Sequence, residues 1–155
     1  YHVELGWNMR MSNIEAALGL SQLRRVEEMN ERRRKLARIY LEELSALPQL
    51  RLPVEKSWAK HVYNLFTIRV EGEGVRDKLA EFLRRNNVET AIHYPTPLHR
   101  QPALANAKKA RNCCEASEKA SKHVLSLPLH PGLREEDVIH VSKLVKNFLR
   151  GGSSL

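Results

Sequence analysis

The chain is 155 residues long with 42% hydrophobic and 28% charged residues and a formal net charge of +8. That is one domain's worth of sequence, able to bury roughly two-thirds of its unfolded surface, and it excludes an intrinsically disordered polymer. No apolar run approaches the ~18 residues of a membrane-spanning helix, no signal-peptide pattern is present, and two adjacent cysteines, Cys113 and Cys114, cannot staple distant elements, so a reduced cytoplasmic setting is expected.

In chain order, Ser12-Asn13-Ile14-Glu15 reads as a capping box ahead of an apolar run. From Ser12 to about Ala46 only Gly19 weakens the helical pattern, which predicts one long helix of roughly 50 Å at 1.5 Å per residue. Its first half, Ala16 to Val26, is apolar on more than one side, so it needs a surface outside this chain, from another domain or subunit. In its second half Val26, Met29, Leu36, Tyr40, Leu44 and Leu47 step by three or four, with Arg33 interrupting. Arg24, Arg25, Arg32, Arg33, Arg34, Lys35 and Arg38 are interleaved with Glu27, Glu28 and Glu31 and lack aromatic neighbours. That pattern favours a solvated helix face over a nucleic-acid surface.

A connection from Pro48 to Pro53 leads to a strand-like run, His61 to Val70, whose apolar residues do not alternate strictly, as in a strand covered on both faces. Glu71-Gly72-Glu73-Gly74 turns the chain into a helix with Val75, Leu79, Phe82 and Leu83 on one face. Val88 to His93 reads as a second strand, and the three prolines between Tyr94 and Pro102 exclude regular structure there. A helix over Glu115 to His123, a short buried strand over Val124 to Pro128, and a last helix from about Arg134 to Leu149 follow, with Val138, Val141, Leu144, Val145 and Phe148 inward. The order predicts an α+β fold with a long first helix and further helices packed on a small sheet, spanning residues 1–150 with a frayed tail at 151–155.

Two segments carry candidate chemistry. If Gly6-Trp7-Asn8-Met9-Arg10-Met11 is extended, Gly6, Asn8 and Arg10 face one way and Trp7, Met9 and Met11 the other. One edge is then anchored by large apolar groups. The opposite edge presents an amide and a guanidinium suited to a phosphate, helped by the positive end of the helix at Ser12. A plain loop with a solvent-facing Arg10 is the competing reading. The second segment holds His93, Tyr94 and His99 on a proline-rich loop, groups able to hydrogen-bond a sugar or its phosphate. A metal site competes but lacks a suitably spaced third ligand, and a purely structural loop remains open. His61, His123, His130 and His140 read as structural or surface residues.

The stretch from Tyr1 to Leu23, with Gly6-Trp7-Asn8-Met9-Arg10-Met11 followed by Ala16-Ala17-Leu18-Gly19-Leu20-Ser21-Gln22-Leu23, resembles the signature of the DegT/DnrJ/StrS sugar aminotransferases. Further matches come in the family's order: His61-Val62-Tyr63, Arg76-Asp77, His93-Tyr94-Pro95 with Pro97-Leu98-His99, and Leu125-Ser126-Leu127-Pro128. The resemblance covers the chain to about Phe148. It implies the small C-terminal domain of a fold-type I enzyme that binds pyridoxal 5'-phosphate (PLP) and moves an amino group from glutamate to a keto-sugar nucleotide, commonly for surface polysaccharides or antibiotic sugars.

The resemblance also implies a homodimer, with segment 1–23 at its interface and the residue matching Asn8 reaching the partner's cofactor phosphate, and Arg10 beside it as a phosphate contact. It further implies that the loop of His93, Tyr94 and His99 lies near substrate. The lysine that forms the Schiff base with PLP belongs to the family's large domain and has no counterpart here, so the chain alone is expected to be an inactive piece, opening at Tyr1 within structured sequence. The last helix departs from the family's usual Thr or Ser cap by having Arg134. Two other readings remain: a stand-alone binding or regulatory module, contacting nucleic acid through its basic surface, and a PLP-dependent sugar dehydratase.

Overall fold

A computed structural model describes residues 1–7, 9–104 and 114–151. It is an α+β arrangement of a three-stranded antiparallel sheet and helices. The elements are α1 (Asn13–Leu23), α2 (Val26–Leu44), β1 (Leu50–Arg51), β2 (Phe66–Val70), α3 (Val75–Arg85), α4 (Glu115–His123), β3 (Val124–Leu127) and α5 (Glu135–Gly151). Strand order is β1-β2-β3, with Leu50 opposite Val70, and Phe66 and Ile68 opposite Leu127 and Leu125.

The capping box forms as read. The Ser12 hydroxyl accepts from the Glu15 N–H at 3.3 Å, and the Glu15 carboxylate accepts from the Ser12 N–H at 2.7 Å. The single long helix does not form. The chain breaks at Arg24–Arg25, where the Arg25 N–H closes a tight turn onto the Gln22 carbonyl and Arg25 leaves helical geometry. Neither Gly nor Pro marks this point, so tertiary packing decides it. α2 is drawn onto the core through Leu36, Ala37, Tyr40 and Leu44, whereas no residue of α1 is buried and nothing in the described residues holds it on the axis of α2.

β2 is shorter than the run that suggested it, and it alternates. Phe66, Ile68 and Val70 are fully buried while Thr67 and Arg69 are half-buried on the other face. Val62 and Leu65 lie before the strand and are exposed, because Tyr63 takes a left-handed backbone (φ 48°) that ends extended structure. The second expected strand shrinks to a single bridge, Ala91 to Ser126. Two residues of the Pro48–Pro53 connection, in contrast, add β1.

The core lies between the Phe66–Ile68–Val70 face and the apolar sides of α2, α3 and α5. On α3 the inward positions are Leu79 and Leu83, and on α5 Val138, Val141 and Val145, at the spacing of one helical stripe. α3 ends in a Schellman turn: Asn87 is left-handed, and the Val88 and Asn87 N–H groups reach back to Leu83 and Arg84. α5 starts without a Ser or Thr cap, yet the Asp137 carboxylate accepts from both the backbone and the guanidinium of Arg134, which replaces part of the missing cap. Gly151 closes α5 rather than opening a frayed tail; residues 152–155 lie outside the described residues. The proline-rich loop is more regular than expected, holding 3-10 turns at Leu98–Arg100 and Pro102–Leu104.

Candidate functional site

Residues 1–7 and 9–11 are extended or irregular and solvent-facing ahead of the capping box. Among the described residues nothing covers the apolar side expected to anchor this segment: Trp7 is 87% and Met9 79% exposed. Arg10 is exposed and makes no hydrogen bond or ion pair among the described residues, so its guanidinium is available to an anion. Asn8 lies outside the described residues. The α1 N-terminus is a weaker anion site than the sequence suggested. The capping box consumes the Ser12 and Glu15 N–H groups, and the backbone N–H of Ser12 holds the Glu15 carboxyl below its ordinary range, keeping a negative charge over that helix end.

The N-terminal segment is tied down at one point. The His2 N–H donates to the Gln101 side chain at 3.0 Å, and the Ala103 N–H donates to the His2 carbonyl at 2.9 Å. Gln101, itself buried, also donates to the Thr96 carbonyl at 3.1 Å, so the extended segment and the proline-rich loop form one unit. Between that unit and α4 lies a pocket of about 430 Å³, with His2, His93, Tyr94 and Gln101 on one side and Ser117 and Val124 on the other. This volume is within the range of small-molecule sites.

The structure thus brings two of the expected loop residues together on the pocket wall and takes the third elsewhere. Tyr94 is 69% exposed, and its ring meets the His93 imidazole edge-on at 5.5 Å between centroids. The His99 side chain is only 8% exposed and its Nε2 sits 2.9 Å from a Glu118 carboxylate oxygen, which also accepts from Arg100 Nε at 2.8 Å. His99 therefore clasps the loop to α4. The His99 hydrogen bond first, and Arg100 second, hold the Glu118 carboxyl below the usual range.

Sequence reasoning missed the groups behind His93. Its Nδ1 is 3.0 Å from the Ser126 hydroxyl, which is 2.9 Å from that of Thr67. A lone Ser inside the apolar Val124–Leu127 strand was the signal available. Gln101 and His2, the joint between the two candidate segments, gave no sequence signal. Arg76, one of the matched motif residues, is buried and donates to the Ser121 and Val124 carbonyls, so it braces the end of α4. His61 and His123 are structural as expected: His61 Nδ1 accepts from the Tyr63 N–H, and His123 Nδ1 donates to the Val70 carbonyl.

Three of the seven basic residues in that stretch are engaged with acids among the described residues. Arg32 and Lys35 reach Glu135, and Arg34 reaches Glu55. Among the described residues no three His, Cys, Asp or Glu side chains are grouped to hold a metal, and no helix is long and apolar enough to cross a membrane.

Residues 1–146 match the model of the DegT/DnrJ/EryC1/StrS aminotransferase family. The chain belongs to that family. It is 37% identical over 145 residues to the erythromycin biosynthesis sensory transduction protein EryC1 of Saccharopolyspora erythraea, covering 94% of this chain and 39% of the relative. It is 33% identical over 147 residues to the dTDP-3-amino-3,4,6-trideoxy-alpha-D-glucose transaminase of Streptomyces venezuelae, covering 95% and 38%. The crystal structure of S. venezuelae DesV in complex with a ketimine intermediate superposes with a TM-score of 0.83 at 33% identity, over 93% of this chain and 38% of that one. The chain thus spans about two-fifths of the length of the curated relatives it matches.

Proposed function

We propose that this sequence forms the small C-terminal domain of a PLP-dependent enzyme that moves an amino group from glutamate to a keto-sugar nucleotide, working as a homodimer in the cytoplasm. The observation that carries the reading is the segment Gly6–Met11. Its described residues stand in solvent, with the Arg10 guanidinium unpartnered among them and the Trp7 and Met9 side chains uncovered, immediately before a helix that buries none of its own residues. Such a segment is built to be completed by another body, and Arg10 has the planar donor fork that suits a phosphate monoester.

PLP fits the part of its site that this chain would supply, the phosphate end, where Asn8 and Arg10 would hold it. The cofactor, when bound, provides the electron sink for amino transfer. The chain's own residues bind and orient: Arg10 neutralises phosphate charge, while His93 and Tyr94 hydrogen-bond the sugar or its diphosphate from the pocket wall. His99 keeps the loop in place from behind.

The test uses the full-length gene product, assayed for glutamate-dependent amination of a panel of keto-sugar nucleotides. Amination that falls with Arg10→Ala and with Tyr94→Phe is the expected result. Full activity in both variants would remove the roles assigned to these residues. Loss of water from the sugar without amino transfer would identify a dehydratase instead. A gene product that neither binds PLP nor turns over a sugar nucleotide, but binds DNA with steep salt dependence, would favour a regulatory module.

A further inference from the structure

The register of β2 on β3 sets Thr67 directly opposite Ser126, so their side chains share one face of the sheet. That face is opposite the Phe66–Ile68–Val70 core, and His93 covers it. The result is a row of three polar groups, Thr67 Oγ1, Ser126 Oγ and His93 Nδ1, with separations of 2.9 and 3.0 Å. Ser126 is 4% exposed, so its hydroxyl must find its partners within the row.

Each hydroxyl carries one proton, and the row can run in two directions. In one, Thr67 donates to Ser126 and Ser126 donates to His93 Nδ1; both hydroxyl protons are used, and the neutral ring keeps its own proton on Nε2. In the other, His93 Nδ1 donates to Ser126 and Ser126 to Thr67, which leaves the half-buried Thr67 hydroxyl proton without an acceptor among the described residues. The first direction leaves the Nε2 proton, which meets solvent in the pocket that His93 lines; Thr67 is not among the residues lining that pocket, so the second direction is the costlier arrangement. His93 Nε2 has no partner among the described residues, and the imidazole lines the pocket.

We propose that Ser126, backed by Thr67, is a positioning residue that fixes His93 as the Nε2–H tautomer, so that the ring offers the pocket a hydrogen-bond donor rather than a base. The ligand chemistry this selects is an oxygen acceptor, a sugar hydroxyl, carbonyl or phosphate oxygen, held by a neutral donor. The assignment rests on the functional reading above only for the identity of that ligand; the tautomer belongs to the chain itself.

The test is nitrogen-15 NMR of the histidine side chains at about pH 8, above the ordinary imidazole range. The wild-type chain should show His93 with a protonated Nε2 and an unprotonated Nδ1. Ser126→Ala removes the donor to Nδ1, so the two nitrogen shifts should move toward an average as the other tautomer becomes populated, while Ser126→Thr should keep the wild-type pattern. Thr67→Val leaves Nδ1 as the acceptor in the row for the Ser126 proton and should keep that pattern too. Should Ser126→Ala fail to fold by circular dichroism, the wild-type spectrum still decides the direction of the row. A wild-type His93 protonated on Nδ1, or shifts unmoved in a folded Ser126→Ala variant, would overturn the proposal. The spectra need no substrate, so a failure to bind sugar nucleotide would count against the functional reading alone.

Discussion

The Tyr40 hydroxyl donates to the Pro128 carbonyl at 3.0 Å, joining the middle of α2 to the chain just beyond β3. The Tyr40 ring is fully buried and stacks on Phe66 with centroids 4.7 Å apart. Burial pushes its phenol above the ordinary tyrosine range, so it remains a neutral donor at any working pH. Tyr40→Phe keeps the packing and strands one carbonyl, and should cost about 1–2 kcal/mol. Tyr40→Ala should cost about 3–5 kcal/mol, because it also opens a cavity against Phe66. Urea denaturation of the two variants checks both values, and equal losses would show that the hydroxyl carries the whole effect and the packing of the ring adds nothing to it.

Arg10 should behave in the opposite way. It is exposed and unpartnered among the described residues, so Arg10→Ala should leave the stability of this chain within about 0.5 kcal/mol of wild type. In the full-length protein the same change should weaken binding of PLP or of a phosphorylated substrate by about tenfold to a hundredfold, the usual worth of a charged hydrogen bond to phosphate. Melting of the chain and ligand titration of the whole protein separate the two effects. A destabilised chain would mean that Arg10 serves the domain's own fold.

The contrast between those two residues reflects what a sequence can carry. The α2, α3 and α5 stripes were legible because 3.6-residue spacing is local, and Ser12 with Glu15 was legible because a capping box spans four residues. The break at Arg24–Arg25 was not, since no residue there disfavours a helix and only the burial of α2 decides it. The run from His61 to Leu65 is rich in strand formers, yet Arg34 and Glu55 hold the backbone of His61 and fold it into a loop. The loop with His93 and Tyr94 was legible from its prolines. The partner of His99 was not, because Glu118 lies on a different element, and neither was the row behind His93, which depends on sheet register.

Glu118 gives the loop a pH dependence with a defined sign. Its carboxyl is lowered from the ordinary 4.5 by His99 and then Arg100. A carboxylate lowered in the folded state contributes stability above its unfolded value and loses it as pH falls through the folded one. Glu118→Gln should therefore melt below wild type at neutral pH, with the gap closing as pH drops below 4.5. The same variant should loosen the wall of the pocket, since the clasp joins Leu98–Arg100 to α4. Melting curves across pH 3 to 7 (roughly the carboxylate range) supply the measurement; a gap that widens in acid contradicts the linkage.

The turn before α3 offers a matched pair of glycines. Gly72 has φ +103° and a Cβ built on it would lie 2.7 Å from Val75 Cγ2, whereas Gly74 has φ +69° and open space around the same position. Both backbones disfavour an L side chain, but only Gly72 adds a clash with a side chain packed against the core. Gly74→Ala should cost about 1 kcal/mol from backbone conformation alone. Gly72→Ala should cost more, about 2–3 kcal/mol, because its φ lies further from the left-handed well and Val75 must shift. The comparison is clean because the two positions share one turn, lie away from the pocket and alter no charge. If the variants unfold at the same denaturant concentration, Val75 has moved aside without penalty, and the first turn of α3 is softer than its packing implies.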